Sequence, residues 1–321
     1  MVWQPEIAVL VSAYERPDSL RRALLSLALQ RGVAGLMEVV VTDDGSPHSL
    51  RPIVEAFARR VDFPVRFTTH PHDGFRLARC RNEGVLVSKA PYLLFTDGDC
   101  ILPPDHVRCH LDYRRVGRAV VGDCYRLDRV TSDRITDGAV WSGEYLAWVP
   151  VRERCRMALK AFRAWWYHLL RCAMRPRMTG NNIGIWRMDF ERVNGYDENY
   201  VGWGLEDRDL QLRLSQLGLR FKSILSRSVT CHLWHPPVAT FARNNVGTKN
   251  LEYYQRKEIA LRCPVGLVER NRTSGHALLG SHVLVPGYMH PVDEGCNRDS
   301  DSPALIPFPS PSEGEIFRKA A

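Results

Sequence analysis

Residues 91–100, PYLLFTDGDC, decide how this chain is read. An apolar run of strand length passes directly into two aspartates, Asp97 and Asp99, with one glycine between them. Carboxylates this close repel, and they stay ionised together only where something positive compensates. A divalent cation such as Mg²⁺ or Mn²⁺ does so with oxygen ligands, commonly one or two carboxylates plus substrate phosphates. An Asp-Gly turn after a strand accounts for the same residues without a metal, so the flanking pattern has to arbitrate.

On the N-terminal side, EIAVLVSAYERP (6–17) opens as an apolar strand, and DSLRRALLSLALQRG (18–32) carries Leu20, Leu24 and Leu27 at helical spacing before Gly32. MEVVVTDDGS (37–46) reads as a strand, LRPIVEAFARR (50–60) as a helix, PVRFTT (64–69) as a strand and RLARCRNEGVLVSK (76–89) as a helix. Strongly apolar strands alternating with helices predict an α/β fold, with a Rossmann-like, mostly parallel sheet and helices on both faces. Ligands of such sheets sit outside the carboxyl ends of the strands. Three of those ends read SAYERP, TDDGS and TDGDC.

From about Val120 the alternation loosens. The pattern predicts a strand near AVVGDCY (119–125), a long helix within Arg154 to Met174, and a strand or turn at TGNNIGIWR (179–187). A loop GYDENYVGWG (195–204), a helix LEDRDLQLRLSQLG (205–218) and one or two strands in RFKSILSRSVTCHLWHPP (220–237) follow, then a helix over roughly Val238 to Leu261. Residues 266–321 lack periodicity and are expected to be a disordered tail.

The chain has 321 residues, 45% of them hydrophobic, enough for one large core or two modest ones. No apolar run approaches the roughly 20 residues that span a bilayer. The start lacks the basic and apolar regions of a secretion signal, so a cytoplasmic protein is expected. Nine cysteines without a CxxC pair suggest reduced core thiols. Much of the formal charge of +8 lies between Val151 and Arg177, where Arg152, Arg154, Arg156, Lys160, Arg163, Arg171, Arg175 and Arg177 face only Glu153. Charge confined to one segment argues against nucleic acid as the expected partner. Leu159, Phe162, Trp166, Leu169 and Leu170 lie largely between these cations, so a basic amphipathic helix is predicted at about 154–175. Such a helix either lies on an anionic membrane at the inner face of the plasma membrane or packs its apolar stripe on the sheet with its arginines solvated.

Three further groups bear on chemistry. Asp43 or Asp44, at a strand end, can accept hydrogen bonds from a base or a ribose. In NYVGWGLEDRDL, Trp203 between Gly202 and Gly204 offers a flat apolar face, and Glu206 and Asp207 enter the first turn of a helix, whose dipole favours an ionised carboxylate suited to a general base. His232 and His235 are three apart; on a strand they point to opposite faces, which predicts that one alone, His235, reaches a metal.

Taken together, these residues resemble the family 2 type glycosyltransferases of the GT-A fold. VSAYERP is similar to their first-strand signature, VVVTDDGS to their uridine-binding strand, GFRLARCRNEG to a helix carrying an Arg-Asn pair, and TDGDC to their DxD motif. GNNIGIWRMDFERVNGYDENYVGWGLEDRDL resembles the C-terminal part of galactosyltransferases and N-acetylgalactosaminyltransferases, where a later His completes the metal site. The resemblance covers about Ile7 to His235. It implies a nucleotide-sugar-binding half at 1–118 and an acceptor-binding half at 119–265 of one GT-A domain. The implied activity is inverting transfer from a UDP-sugar to a glycan or lipid-linked acceptor, with Mn²⁺ or Mg²⁺. Tyr14, Glu15, Asp44 (or Asp43) and Arg81 would hold the uridine, and Asp97 would face the ribose or the metal. Asp99 would bind the cation with His235 or His232, Asn181, Trp203, Gly204 and Glu206 would line the acceptor, and Asp207 would be the base. Ser12 and Ala13 stand where a proline is frequent, and Glu15 where an asparagine is frequent. The rival readings are a nucleic-acid or anionic-polymer binding protein using the basic helix, and a nucleotidyltransferase.

Overall fold

The computed structural model describes residues 4–237, 240–241, 247–269 and 282–284. The first half runs β1 (Ile7–Ala13), α1 (Pro17–Ala28), β2 (Met37–Asp43), α2 (Arg51–Ala58), β3 (Val65–Thr69), α3 (Leu77–Val87) and β4 (Tyr92–Asp97). Then come β5 (Cys100–Ile101), α4 (His106–Tyr113), β6 (Arg118–Val121), β7 (Cys124–Arg126), α5 (Arg129–Arg134), α6 (Asp137–Ser142) and, after a short 3-10 turn, α7 (Val151–Leu169). The remainder is β8 (Asn182–Trp186), α8 (Arg187–Arg192), α9 (Glu206–Gln216), β9 (Arg220–Ser223), β10 (Thr230–His232), α10 (Lys249–Tyr254) and β11 (His282–Leu284).

The central sheet has the order β11-β3-β2-β1-β4-β8-β6-β9, with β3, β2, β1 and β4 mutually parallel and β8 antiparallel to both of its neighbours. β1 shows why its sequence is an unbroken apolar run. Ile7, Val9 and Val11 pack with α1 and α2 on one face, while Ala8 and Leu10 pack with α3 and α9 on the other. A strand covered on both faces has no solvent side to mark with polar residues. Glu38 in β2 is the exception: fully buried, it pairs with Arg66 at 2.9 Å and accepts from the Lys89 and Ala90 amides at 2.6 and 3.1 Å.

β1 and β4 leave the sheet in register, Ser12 opposite Asp97. They are the strands at which the chain changes direction across the sheet, β1 to β2 on one side and β4 on the other, and that crevice is where open α/β sheets bind ligands. A second, small sheet, β5-β10-β7, lies beyond it and joins the residues after the aspartates to the chain's later histidines.

Several boundaries differ from the sequence expectations. The basic helix spans Val151–Leu169, beginning at Pro150, which supplies a preset φ and needs no amide partner. Where one helix was expected over Val238 to Leu261, the described residues hold only Lys249–Tyr254, started by the Thr248 hydroxyl accepting from the Leu251 amide. The expected tail from 266 is corrected at two places: Leu267 is buried against the core, its amide donating to Asn194, and His282–Leu284 pair antiparallel with β3. The rest of that tail lies outside the described residues, as does Cys296; Cys80, Cys100, Cys124, Cys231 and Cys263 are free and buried.

Gly184 in β8 fits where no larger residue can. A Cβ there would lie 2.3 Å from the Tyr92 hydroxyl and 2.5 Å from His110 Nδ1, and both side chains are fully buried. Gly184→Ala should therefore destabilise the protein by about 1–3 kcal/mol or more through overpacking. A lower urea midpoint at unchanged m-value reports it, and an unchanged midpoint would refute it.

Candidate active site

The carboxyl ends of β1, β2 and β4 open into a cavity of about 360 Å³. Of the residues predicted from sequence, Tyr14, Glu15, Asp44, Asp97, Asp99, Trp203, His232 and His235 line it. Asp43, Arg81, Asn181, Gly204, Glu206 and Asp207 stand behind that lining.

At its centre is Asp99. After β4 ends, the Gly98 amide donates to the Ser12 carbonyl at 2.7 Å, and a Cβ on Gly98 would come within 3.2 Å of that same oxygen. The glycine thus lets the turn lie against β1. Asp99 Oδ1 is 3.4 Å from His232 Nε2, and Oδ2 is 3.3 Å from His235 Nε2 and 3.2 Å from Arg16 Nη1. Both histidines, not His235 alone, approach this carboxylate. β10 stops at His232, so the alternation of faces no longer governs Leu233 to His235, and the two imidazoles converge with centroids 5.1 Å apart.

The donor set fits a divalent cation. Ligand atoms of Asp99, His232 and His235 lie within 4.8 Å of one another. His235 Nδ1 lies 2.7 Å from the Pro236 carbonyl, which can only accept, so Nδ1 carries the proton and the neutral ring presents the Nε2 lone pair to Asp99. Burial, the first cause, holds the His235 pKa below its ordinary value, so a lone pair faces a carboxylate oxygen unless a cation lies between them. Asp97, Asp99 and Cys100 form an overlapping group, but burial pushes the Cys100 thiol far above its usual pKa and leaves it a poor ligand.

Arg16 had no place among the sequence candidates. Glu15 and Arg16 both adopt φ of 51°, a conformation that ordinary side chains rarely take, and this turn sends Arg16 back over Asp99. The signal available was SAYERP itself, a polar strand end that runs straight into Pro17 at the start of α1.

On the nucleoside side the two adjacent aspartates separate. Asp43 closes the turn after β2, accepting from the Ser46 hydroxyl at 2.5 Å and from Thr69 at 3.1 Å. Asp44 lines the cavity, with Oδ1 2.9 Å from His70 Nε2 and Oδ2 accepting from the Arg76 amide at 3.0 Å. Burial alone would lower the pKa of His70, but its hydrogen bonds to Asp44 and Glu83 raise it to about 9. Tyr14 stacks on His72, centroids 5.1 Å apart and rings 23° from parallel, forming a flat step beside Asp44.

The acidic pair of α9 lies outside that lining, gathered on Arg81. Neither Glu206 nor Asp207 caps the helix, whose N-cap, Leu205, sits at φ 79°. Asp207 Oδ1 accepts from Arg81 Nη1 at 2.9 Å and from the Tyr196 hydroxyl at 3.2 Å, and Oδ2 accepts from the Gly180 amide at 2.8 Å. Arg81 reaches Asp97 at 3.3 Å with its other nitrogen, so Asp97 and Asp207 hold opposite ends of one guanidinium. Burial, partly offset by Arg81, raises the Asp97 pKa. A Cβ on Gly180 would lie 2.2 Å from Arg81, which is why TGNN has glycine there. Asn181 donates to the Cys124 sulfur at 3.1 Å. Trp203 packs edge-on to Phe241, 4.7 Å between centroids, and Asn250 clamps the Gly204 carbonyl at 3.0 Å.

The family model described as glycosyl transferase family 2 matches residues 8–169, and one described as the N-terminal domain of galactosyltransferase matches 172–235. Validoxylamine A glucosyltransferase of Streptomyces hygroscopicus subsp. jinggangensis (strain 5008) is 30% identical over 229 residues, covering 67% of this chain and 52% of its own. Polypeptide N-acetylgalactosaminyltransferase 13 of Homo sapiens is 26% identical over 220 residues, covering 65% and 38%. The chain thus spans about half, or less, of the length of these relatives. Among solved structures, the mannosyltransferase PcManGT from Pyrobaculum calidifontis in complex with GDP-Man and Mn²⁺ matches with TM-score 0.50 at 15% identity, over 74% of this chain and 59% of that one. S. aureus TarS also reaches 0.50, at 14% identity over 72% and 37%. The fold is that of the GT-A enzymes, and with half of its length matching one family model the chain belongs to glycosyltransferase family 2.

Proposed function

We propose that this glycosyltransferase moves a hexose or N-acetylhexosamine from a UDP-sugar to a hydroxyl of a glycan or lipid-linked acceptor, with inversion and with a divalent metal. The observation that carries the reading is the convergence of Asp99, His232 and His235 at the mouth of β4, in the wall of a cavity that Trp203 also lines. The name of the 30%-identical relative, a glucosyltransferase, supports a hexose as the group moved.

Asp99, His232 and His235 would hold Mn²⁺ or Mg²⁺, which when bound neutralises charge developing on the leaving diphosphate. Two imidazoles beside one carboxylate suit Mn²⁺ better than Mg²⁺, which prefers oxygen. Tyr14 and Asp44 face the nucleoside, one as a flat step and one as an acceptor. Trp203 lies against the sugar, its backbone fixed by Thr240 and Asn250. Asp207 accepts the proton of the attacking hydroxyl. Its three donors leave the carboxylate no freedom to swing, so it receives that proton at a fixed place. Attack from that side while the diphosphate leaves on the metal side is a single displacement, and it inverts the anomeric centre.

Glu206 differs from its neighbour. Burial first, then the Asp207 charge, pushes its pKa up to about 8, and its buried Oε2 has no hydrogen-bond partner among the described residues. At neutral pH it is a protonated acid, able to donate to an acceptor hydroxyl.

Purified protein should release UDP from one member of a UDP-sugar panel with Mn²⁺ and not with EDTA, and Asp99→Ala should lose that release; equal release in EDTA would overturn the metal's part. Asp207→Asn should lower transfer by about 10²–10⁴-fold, the usual contribution of a general base, while calorimetry finds UDP binding unchanged. Full turnover in that variant would remove Asp207 from the role. The Glu206 pKa is raised on folding, so the stability that its protonated form contributes is present below about 4.5 and is lost as pH rises toward 8. Against Glu206→Gln, the wild type should therefore weaken progressively over that window in urea titrations; parallel pH profiles would contradict the shift.

A further inference from the structure

The apolar stripe of the basic helix α7 does not pack on the sheet but faces away from the protein. Only Met157 and Ala164 of this helix are buried, whereas Leu159, Phe162, Trp165, Trp166 and Leu169 are 49, 58, 57, 42 and 57% exposed, and Leu170 just beyond it 67%. Leu159, Phe162, Trp166 and Leu169 recur at spacings of three and four residues, so they form one outward stripe. Contiguous exposed apolar surface of this size marks an interaction site rather than a solvated helix. Phe162 and Trp166 pack edge to face at 6.3 Å, and Trp165 and Trp166 at 4.9 Å.

The charges around the stripe identify what covers it. Arg152, Arg163 and Arg171 are exposed beside it, and the single acid of the segment, Glu153, is turned inward onto Arg156 and the Arg126 amide. At the C-terminal end of α7 a second cavity, of about 200 Å³, is lined by Arg171, Arg175, Arg220 and His168, with no carboxylate in its lining. Burial and then Lys222, Arg118 and Arg220 hold the His168 pKa down, which reports the same positive field. Leu169 and Leu170 stand beside this cavity in the chain. Exposed aromatic and leucine side chains on one helix face, rimmed by arginines and ending at a basic pocket, match the headgroup boundary of an anionic bilayer, with phosphate at the level of the arginines and the upper acyl chain segments at the level of the rings.

We propose that α7 is the surface by which this protein lies on an anionic phospholipid membrane, its outward Leu/Phe/Trp stripe entering the headgroup boundary and the Arg171/Arg175/Arg220 cavity receiving a lipid phosphate. This docking is independent of the donor and metal assigned above. Among the described residues no helix is long and apolar enough to cross a membrane, so the contact is a peripheral one.

The test is flotation of the full chain with vesicles of phosphatidylcholine alone or with about 30% phosphatidylglycerol, the anionic lipid supplying the surface potential. Binding should be confined to the anionic vesicles, fall with salt without vanishing, and shift tryptophan emission to the blue. Phe162→Ser/Trp165→Ser/Trp166→Ser should lower partitioning by about tenfold or more, the weight of three apolar anchors. Arg171→Glu/Arg175→Glu should remove the preference for anionic lipid; both variants should keep circular dichroism and metal-dependent UDP release. Four outcomes would each overturn the proposal: no binding at low salt, equal binding to neutral vesicles, a concentration-dependent dimer abolished by the triple variant, or binding to DNA that the triple variant leaves intact.

Discussion

The candidate active site depends on one buried cation. Arg81, 2% exposed, projects from α3 between Asp97 at the end of β4 and Glu206 and Asp207 at the start of α9, with the Tyr196 ring 5.1 Å from its guanidinium. A guanidinium taken out of water is costly unless carboxylates surround it, and those carboxylates in turn need the guanidinium. Asp97 and Asp207 can therefore sit together because Arg81 lies between them, and Glu206, protonated, joins them without adding charge. Its neighbour Asn82 extends the same joint: Oδ1 accepts from the Tyr196 amide and Nδ2 donates to the Tyr196 carbonyl and to Glu198. Two consecutive residues of one helix thus fasten the first half of the chain to the loop that leads into α9 and its two acids. Gly180 completes the arrangement by leaving room for the guanidinium while donating its amide to Asp207.

The histidines are placed by different means. The small sheet β5-β10-β7 sets His232 opposite Cys100, directly after Asp99, and the Leu233 amide donates to the Asp99 carbonyl at 2.9 Å. Backbone pairing brings the histidines to the aspartate, so the cluster does not rely on side-chain attraction across solvent. This also explains why the exit of the chain from β10 matters. A strand prolonged by three residues would have turned one imidazole away.

How much of this was legible depends on the length of the signal. The parallel half is visible because β1, β2 and β4 are apolar on both faces and β1 and β2 are each followed by an amphipathic helix. Its strand ends name the cavity correctly because ligand placement in open sheets follows from topology. The expectations that failed were local. The histidines were assigned by strand alternation, but the strand ends at His232, three residues before His235. The helix expected over Val238 to Leu261 has its described part started by a threonine cap within a sequence of weak periodicity. Arg16 was hidden because nothing in SAYERP announces two successive left-handed residues. Arg81 was visible as part of an Arg-Asn pair, but its partners Glu206 and Asp207 lie more than a hundred residues away in sequence, and a spacing pattern contains no such distance.

α7 is joined to the site more rigidly than its position on the surface suggests. Lys160 pairs with Asp123, Arg156 donates to the Cys124 carbonyl at 2.8 Å and Glu153 accepts from the Arg126 amide at 2.8 Å, so one helix face is bonded to β7 along the whole strand. β7 pairs with β10, which carries His232, and Arg126 and Leu127 line the cavity themselves. The inward face of α7 is thereby spent on polar contacts with a strand rather than on apolar packing, which is why its apolar residues are left outside. A helix formed to cover a sheet would place its leucines inward and its arginines outward; here Arg156 and Lys160 reach inward beside the buried Met157 and Ala164. The inversion is a consequence of Asp123 and the Cys124 carbonyl lying beneath the helix. On the proposed functions, it fixes the outward surface at a constant offset from the cavity, so that an acceptor held at that surface would meet Asp207 without any domain movement.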